Sequence, residues 1–404
     1  MSGHIVIGAG QAGAALVAKL RELDPESPIT LIGEEPVPPY QRPPLSKKYL
    51  LGEMEMERLF LRPQSFYADQ RIELLTGARV NAIDRTARQI MLGDGTRRSY
   101  DRLALTTGSS PRELPAAMGG ALAGVYPVRS LAHIDAMAAE FRPGARCLIV
   151  GGGYIGLEAA AVASARGLHV TLIEAMDRIL QRVAAPETAE WFRALHASHG
   201  VRIEEGTGLD RLEGNGRVER AILSDGVSLA VDFVIVGIGI VPETALAGEA
   251  GLTLDNGIAV DDRARTSDPI IFAAGDCASF PHDGGRIRLE SVPNAIEQAE
   301  VAAANMAGGD ARYVAKPWFW SDQYDVKLQI AGLNAGYDRV VVRPGAREGT
   351  QSVWYFAQDR LLAVDSMNDP RAYMIGKRLI EAGQSADRAI VADTAADLKA
   401  LLRP

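Results

Sequence analysis

The sequence carries the same glycine pattern twice, G-x-G-x-x-G, at residues 8–13 and again at residues 151–156. Each copy follows a short apolar run, Ile5-Val6-Ile7 in the first and Cys147-Leu148-Ile149-Val150 in the second. Each then opens an Ala-rich amphipathic stretch that leads to another apolar run. This order is typical of a strand–helix–strand unit with parallel strands. The chain is therefore predicted to contain two copies of one α/β plan.

The glycine spacing in each copy fits a turn that binds a dinucleotide. The first glycine makes a tight turn, the second lets a pyrophosphate approach the backbone, and the third allows the helix to pack closely on the strand. The helix N-terminus adds free N–H groups and the positive end of its dipole. The predicted dinucleotide-binding glycines are Gly8, Gly10, Gly13, Gly151, Gly153 and Gly156.

An acidic residue stands at the end of the second strand in each copy, where it can accept both hydroxyls of a ribose. In the first copy this residue is Glu34, with Glu35 beside it as the alternative. In the second copy it is Glu174. A carboxylate repels a 2′-phosphate, so the second copy is predicted to prefer NADH over NADPH, with Arg178 nearby as the residue that would weaken this preference.

The parallel between the copies continues downstream. Asp-Gly hairpin signals occur at residues 94–95 and 225–226. Each precedes an apolar strand that ends in glycine, at residues 100–108 and 231–237. The repetition supports a duplicated nucleotide-binding plan.

A further buried strand is predicted at residues 270–276, ending in Gly275-Asp276, and it has no hairpin of its own. We expect it to complete the first copy, with the second copy inserted, and a helix to follow at residues 294–306. Beyond residue 316, short aromatic strands and a final amphipathic segment at 395–402 indicate an α+β domain. The predicted domains are 1–111 with 241–315, then 112–240, and finally 316–404.

Composition limits the classes of function. The formal net charge is −8 and the basic residues are scattered, which argues against a nucleic-acid partner. No apolar run approaches the roughly 18 residues that a membrane span needs, and the N-terminus has no charged segment followed by an apolar core. We therefore expect a cytoplasmic protein that has no membrane partner.

The cysteines and histidines indicate neither a redox dithiol nor a metal site. Cys147 and Cys277 are far apart and form no C-x-x-C pair, so both are interpreted as small apolar core residues. The six histidines show no metal-ligand pattern. His196 and His199 have an i, i+3 spacing, which we interpret as a solvated helix face.

Longer motifs make the sequence similar to flavoprotein reductases with two dinucleotide-binding domains. Within that class it resembles the NADH:ferredoxin reductases of bacterial cytochrome P450 and aromatic-ring dioxygenase systems, over essentially the whole chain. The residues that carry the resemblance are Arg42-Pro43-Pro44-Leu45-Ser46-Lys47, Thr107-Gly108, Gly275-Asp276, residues 290–299 and Trp318-Phe319-Trp320-Ser321-Asp322-Gln323-Tyr324.

The resemblance implies that non-covalent FAD binds the first glycine turn and NADH the second. It places Asp276 on the ribityl chain or phosphates of FAD, Arg42 and Lys47 along the flavin, and Val292 and Pro293 near the isoalloxazine. Trp320 is implied at the flavin edge that faces a protein partner. Further cofactor contacts are implied for Val80, Thr107, Gly108, Arg129, Tyr154, Ile155, Gly237, Ile238, Gly239 and Gly275.

The implied catalytic residues are Lys47, Glu158 and Trp320. Lys47 would stabilise negative charge developing on the flavin, and Glu158 would pair with Lys47. The alternative for Glu158 is an acid near a helix N-terminus, stabilised by the helix dipole alone.

The implied partner is a [2Fe-2S] ferredoxin. Ferredoxins are usually acidic, so basic residues near the implicated segments are candidates to face it. These residues are Arg286, Arg288, Lys316 and Lys327.

Two other functions fit the same fold. One is a rubredoxin reductase, or an NADH oxidase that delivers electrons to oxygen. The other is a regulatory flavoprotein resembling apoptosis-inducing factor, in which NADH binding controls the choice of partner. The oligomeric state stays open between a monomer and a weak homodimer.

Overall fold

The computed structural model describes residues 3–402. These residues form two compact units, one comprising 3–44, 54–110 and 240–316, the other 45–53, 111–239 and 317–402. Within the described range, no helix has both the length and the apolar character required to cross a membrane.

The first unit is built on a seven-stranded sheet. Its wholly buried strand Gly3–Ile7 lies between Ile29–Ile32 and Arg97–Leu105 and runs parallel to both. Ile72–Leu75 extends the parallel part on one side. The late strand Ile271–Ala273 pairs in parallel with Arg97–Leu105, which confirms that it completes the first sheet. The unit's other strands and helices are Val80–Asp84, Gln89–Leu92, Ser109–Pro111, Ile240–Pro242, Ile258–Ala259, Ala278–His282, Gly285–Ile287, Met56–Arg58 (3₁₀), Gln64–Asp69 and Ala245–Glu249.

Two helices, Gln11–Leu23 and Val292–Met306, pack against each other in the first unit. Small side chains such as Ala12, Ala299 and Ala303 are buried in the core that they share. Because alanine projects little from a helix, the two helices approach closely.

The second unit contains a five-stranded parallel sheet in the order Arg202–Glu205, His169–Glu174, Arg146–Val150, Phe233–Val236 and Val125–Pro127. The predicted strand–helix–strand plan is thus present in both units. The remaining elements around this sheet are Leu45–Tyr49 (an irregular helical turn), Ala116–Met118 (3₁₀), Leu131–Ala138, Tyr154–Ala165, Pro186–Ser198, Leu209–Glu213, Arg220–Leu223 and Ser228–Ala230.

The end of the chain adds a five-stranded antiparallel sheet to the second unit. Its strand order is Trp318–Gln323, Val326–Gly332, Arg360–Met367, Gln351–Ala357 and Arg339–Pro344. The amphipathic helix Pro370–Glu381 packs on this sheet. The remaining elements are Arg388–Ala392 and Leu398–Leu402 (3₁₀).

The amphipathic segment 395–402 includes the 3₁₀ turn Leu398–Leu402, and the carboxylates of Asp393 and Asp397 accept hydrogen bonds from nearby backbone N–H groups. One local prediction differs from the structure. The prediction of a solvated helix face is wrong for His196, whose ring is fully buried. A neutral imidazole tolerates burial once its nitrogens have partners, and Gln323 and Tyr324 provide them.

A buried carboxylate links the antiparallel sheet of the second unit to the helix Pro186–Ser198. Asp365, on the strand Arg360–Met367, accepts hydrogen bonds from the Thr188 hydroxyl at 2.8 Å and from the Tyr355 hydroxyl. The backbone N–H of Ala185 donates to Tyr355. Both donors to Asp365 are neutral, so burial raises the pKa of its carboxyl to about 6.

This raised pKa predicts a pH effect on stability. Between about pH 4 and pH 6 the folded protein keeps a proton on Asp365 that the unfolded chain has lost, so folding stability falls as pH rises, by on the order of 2–3 kcal/mol. Asp365→Asn lacks this loss. The variant is expected to gain urea resistance relative to the parent protein between pH 4 and 7, whereas the exposed Asp325→Asn is not. A difference from the parent that stays constant across this range would contradict the prediction.

Candidate functional site

The three glycines of the first G-x-G-x-x-G pattern, which we call the first fingerprint, have different surroundings. Gly8 has φ +109°, and a Cβ atom there would lie 2.2 Å from the Thr106 carbonyl oxygen. A Cβ on Gly13 would lie 2.1 Å from the Gly8 carbonyl oxygen. A Cβ on Gly10 would meet no atom of the described residues within 4 Å beyond its chain neighbours. The first and third glycines are thus required by the protein's own packing, and the second faces open space.

The second fingerprint repeats this geometry. Gly151 also has φ +109°, and its Cβ would lie 2.4 Å from the Gly237 carbonyl oxygen. A Cβ on Gly156 would lie 2.0 Å from the Gly151 carbonyl oxygen, whereas Gly153 is again open. In both units the open glycine directly precedes a helix. Each cradle therefore fits a dinucleotide whose pyrophosphate lies against backbone N–H groups at a helix N-terminus.

The two acidic residues after the strand Ile29–Ile32 have different environments. The carboxylate of Glu35 accepts hydrogen bonds from the Tyr40 hydroxyl at 2.6 Å and from the Arg42 guanidinium at 2.7 Å. Glu34 is exposed and forms an ion pair with Arg79 at 3.2 Å. Glu35 thus fixes Arg42, and the Glu34 carboxylate lies at the solvent side.

Glu174 is held rigidly at the end of its strand. One carboxylate oxygen accepts the Gly152 N–H at 2.7 Å, and the other accepts the Met176 N–H at 2.8 Å. The guanidinium of Arg178 donates to the carbonyl oxygens of Ile179 and Ala184. The negative charge is therefore fixed beside the second glycine turn, and Arg178 is used in local backbone contacts.

The Gly275-Asp276 turn is fixed by side chains of the first unit. The buried Gln298 accepts the Gly275 N–H at 2.9 Å, and the Ser109 hydroxyl donates to the Asp276 carboxylate at 2.8 Å. The Thr107 hydroxyl donates to the Glu243 carbonyl at 2.7 Å. The carboxyl ends of two neighbouring strands therefore bring Thr107 and Asp276 to one edge of the sheet.

Val292 and Pro293 form the first turn of the helix Val292–Met306. Ser291 caps this helix by accepting the Asn294 N–H, and the Asn294 side chain donates to the Leu289 carbonyl. Proline suits this position because the first helical N–H groups have no partner within the helix. The cap fixes where the helix begins.

Lys47 and Glu158 form a partly desolvated ion pair in the second unit. Lys47 Nζ lies 2.9 Å from Glu158 Oε1 and 3.6 Å from Asp322 Oδ2. Glu158 is 8% exposed, and its burial raises the pKa of its carboxyl, although the charge of Lys47 and a hydrogen bond from Ser321 oppose that rise. Glu158 therefore interacts with a specific cation and not only with a helix dipole. Asp322, which the sequence pattern did not single out for this role, is the second acid near Lys47.

Trp320 belongs to an aromatic cluster on the first strand of the C-terminal sheet. Its ring stacks on Trp318 with centroids 5.6 Å apart. Lys377, on the helix Pro370–Glu381, lies with Nζ 4.9 Å from the Trp318 ring centroid, an arrangement typical of a cation–π contact. Sequence reasoning missed Lys377, because nothing in the local pattern connects it to Trp318.

The remaining predicted cofactor residues are positioned as follows. Val80 begins the strand Val80–Asp84, and Gly108 and Gly239 have φ of +71° and +101°. Ile155, in the first turn of the helix Tyr154–Ala165, is 40% exposed, and the neighbouring Tyr154 ring packs on Phe319 at 5.1 Å. Gly237 and Ile238 follow the strand Phe233–Val236, and Arg129 directly precedes Ser130, the cap of the helix Leu131–Ala138.

The four basic residues proposed to face a partner separate into two pairs. Arg286 and Arg288 donate to backbone carbonyl oxygens of the first unit, including those of Val260 and Asp276. Lys316 and Lys327 are exposed.

Cys147 and Cys277 are both buried and free. Between residues 3 and 402, no group of three or more His, Cys, Asp or Glu could hold a metal ion.

Residues 2–299 match the family described as pyridine nucleotide-disulphide oxidoreductase, and residues 318–402 match the family described as reductase C-terminal. The chain belongs to the pyridine nucleotide-disulphide oxidoreductases. It is 40% identical over 405 residues to putidaredoxin reductase CamA of Pseudomonas putida, and the matched region covers 98% of this chain and 96% of the relative. It is 42% identical over 398 residues to rhodocoxin reductase of Rhodococcus erythropolis, covering 98% and 93%.

A crystal structure of the covalent putidaredoxin reductase–putidaredoxin complex superimposes with a TM-score of 0.95 at 40% identity, covering 99% of this chain and 97% of that chain. These similarities confirm the predicted resemblance and the predicted fold class. As a member of this family, the chain is an oxidoreductase that uses FAD and NADH.

Because the second glycine of the pattern faces open space and the third packs on backbone, substitutions at the two positions are predicted to affect nucleotide binding and folding separately. Gly153→Ala is expected to fold and to keep FAD, because its methyl group meets no protein atom, but to raise the KM for NADH at least about tenfold by occupying the pyrophosphate space. Gly156→Ala is expected to reduce the yield of folded protein, since its methyl group would meet backbone. Thermal unfolding, FAD content and NADH titration provide the three readouts.

The control for both variants is Gly285→Ala, where the nearest atom to the added methyl would be 3.8 Å away. It is expected to change none of the readouts. An unchanged KM for NADH in Gly153→Ala would contradict the assignment of the second cradle.

Proposed function

We propose that the chain is an NADH-dependent ferredoxin reductase that supplies electrons to a [2Fe-2S] ferredoxin, which serves a cytochrome P450 or a ring-hydroxylating oxygenase. The similarity to a reductase crystallised with putidaredoxin, over 99% of this chain, carries the proposal. The duplicated glycine cradle supports it independently, because a hydride transfer between two dinucleotides needs two such sites in one protein.

We assign FAD to residues 1–111 with 241–315, and NADH to residues 112–240. When bound, FAD would supply the chemistry that couples a two-electron hydride donor to a one-electron acceptor. The protein's task is then to bind, orient and tune. Gly10 and the helix Gln11–Leu23 would hold the pyrophosphate of FAD, Glu34 its ribose, and Asp276 its ribityl chain or phosphates.

NADH is the preferred nucleotide in this proposal because of the fixed charge of Glu174. Two backbone N–H groups hold its carboxylate in place, so it cannot swing away from a 2′-phosphate. Arg178 donates to two carbonyl oxygens and would have to give up these contacts to neutralise such a phosphate. Both features favour the free 2′-hydroxyl of NADH.

Lys47 is proposed to stabilise negative charge on the flavin, with Glu158 holding the ammonium group in position. An ion pair with little exposure keeps its geometry better than an exposed pair, because few alternative partners are available. Arg42, fixed by Glu35, is proposed to line the same cofactor.

The ferredoxin is proposed to dock at the aromatic cluster that includes Trp320, with exposed Lys327 of the same unit contributing positive charge. Contacts of this kind are small and steered by charge, so their rates depend on ionic strength. We place the reaction in the cytoplasm, because its reducing conditions are compatible with a reduced ferredoxin and with cysteines that form no disulfide.

The first test is NADH-driven reduction of cytochrome c, with and without a small [2Fe-2S] ferredoxin from the same organism. The rate of cytochrome c reduction is expected to depend strongly on the ferredoxin. Trp320→Ala should lower this ferredoxin-dependent rate without changing the KM for NADH. Ferredoxin-independent turnover with oxygen uptake would instead identify an NADH oxidase. Negligible turnover with bound FAD would favour a regulatory, NADH-sensing role.

Lys47→Met is expected to slow reduction of the bound flavin by NADH on the order of 10²-fold, because a fixed charge near the reacting atoms is lost. Stopped-flow absorbance measures this step without ferredoxin. Lys48→Met is the matched control, since Lys48 is adjacent but exposed. Equal rates for the two variants would remove Lys47 from the mechanism.

A further inference from the structure

A line of buried hydrogen bonds begins at Glu158 and runs away from Lys47. The Ser321 hydroxyl lies 2.6 Å from Glu158 Oε1, and Gln323 Nε2 lies 3.2 Å from Ser321 Oγ. Gln323 Oε1 lies 2.8 Å from His196 Nε2. Ser321, Gln323 and His196 are all completely buried. We call these three residues the relay.

The backbone explains how the relay forms. Ser321 and Gln323 are two residues apart on the strand Trp318–Gln323, so their side chains point to the same face. Glu158 belongs to the helix Tyr154–Ala165 and His196 to the helix Pro186–Ser198. One face of a C-terminal strand therefore connects two helices of the NADH-binding part of the chain.

The chemistry of the side chains gives the relay a direction. Burial lowers the pKa of His196 to about 4, so its ring is neutral at pH 7 and carries one N–H. Gln323 Oε1 can only accept, which places that hydrogen on His196 Nε2. His196 Nδ1 then accepts from the Tyr324 hydroxyl, 3.3 Å away.

The same reasoning continues toward Glu158. Gln323 Nε2 donates to Ser321 Oγ, which leaves the hydroxyl hydrogen of Ser321 free to point at Glu158 Oε1. Every donor along the relay thus points toward the carboxylate. The reverse orientation would set a lone pair of Ser321 against a carboxylate oxygen at 2.6 Å, which is repulsive.

Glu158 requires such support because its surroundings oppose its charge. Burial disfavours the ionised form, and the nearby Asp322 carboxylate does so too. Lys47 and Ser321 act in the other direction. At the far end, His199 acts electrostatically on His196 in the direction that lowers the pKa of His196, and the centroids of the Tyr324 and His199 rings lie 3.7 Å apart in a stacked arrangement.

We propose that Ser321, Gln323 and His196 are positioning residues that keep Glu158 ionised beside Lys47, with His196 fixed in the tautomer that carries hydrogen on Nε2. This inference deepens the proposed function and rests on it only for the role of Lys47. Loss of the relay raises the pH at which Glu158 becomes neutral and Lys47 loses its counterion.

The first experiment titrates the Glu158 carboxyl in the FAD-loaded protein by infrared difference spectroscopy, with Glu158→Gln to identify its band. Ser321→Ala is expected to raise the pKa of Glu158 by about one pH unit or more, because hydrogen bonds to charged groups contribute about 1.5–3 kcal/mol. Ser321→Thr keeps the hydroxyl and should restore the parent value. Ser366→Ala removes an equally buried hydroxyl from the same sheet and should change nothing.

The second experiment reads His196 directly by ¹⁵N NMR of histidine-labelled, FAD-loaded protein. At a pH where Glu158 is ionised, the His196 hydrogen is expected on Nε2. Gln323→Met, of similar volume, should release this constraint and shift both ring nitrogen signals. It also cuts the relay at a second point if Ser321→Ala folds poorly.

Two results would overturn the inference: an unchanged pKa of Glu158 in both Ser321→Ala and Gln323→Met, or a His196 hydrogen on Nδ1 in the parent protein. Neither readout uses ferredoxin. Failure of the parent protein to reduce a ferredoxin would therefore count against the proposed function alone. An unchanged pKa of Glu158 in both relay variants would count against the relay alone.

Discussion

The structure depends on two places where a helix begins within van der Waals reach of the strand before it. At Gly13 and Gly156 the helix backbone comes so near the first glycine's carbonyl oxygen that a Cβ atom would lie about 2 Å from it. The close approach aims each helix N-terminus at the end of its strand, and it leaves Gly10 and Gly153 open to a ligand. Because the same contact both packs the sheet and shapes the cradle, folding and the predicted binding of a dinucleotide share one constraint in each unit.

A second constraint is electrostatic. Lys47 and Glu158 have little access to water, and such pairs stabilise a fold only when further hydrogen bonds satisfy their remaining atoms. Ser321 supplies one of these bonds, and Gln323 and His196 fix its direction. Replacing the whole set, Lys47 and Glu158 included, by apolar side chains of similar size would cost the fold little, so the contribution of the set lies in positioning the ammonium group. An ammonium group that must act at one place on a cofactor needs a counterion that stays ionised and does not move.

The features that the sequence predicted are those encoded over short distances. Apolar runs, glycine spacing and Asp-Gly turns specify local geometry, so the duplicated strand–helix–strand units, both hairpins and the late strand at Ile271–Ala273 could be read directly. Contacts between distant segments could not. Nothing near His196 indicates that Gln323 will cover it, and an i, i+3 histidine pair in isolation resembles a solvated face. Lys377 on Trp318 and Asp322 near Lys47 are of the same kind, because their partners lie on elements joined only by the tertiary fold.

The strand Trp318–Gln323 shows how one short segment serves both requirements. Its alternate residues Phe319, Ser321 and Gln323 contact Tyr154, Glu158 and His196, so one face follows the helices Tyr154–Ala165 and Pro186–Ser198. Trp318, Trp320 and Asp322 occupy the other positions, where the tryptophans stack and Asp322 approaches Lys47. A shift of register by one residue would exchange the two sets completely. The aromatic surface proposed for the ferredoxin and the polar support of Glu158 are therefore fixed by the same hydrogen-bonded register with Val326–Gly332, and neither can be moved without the other.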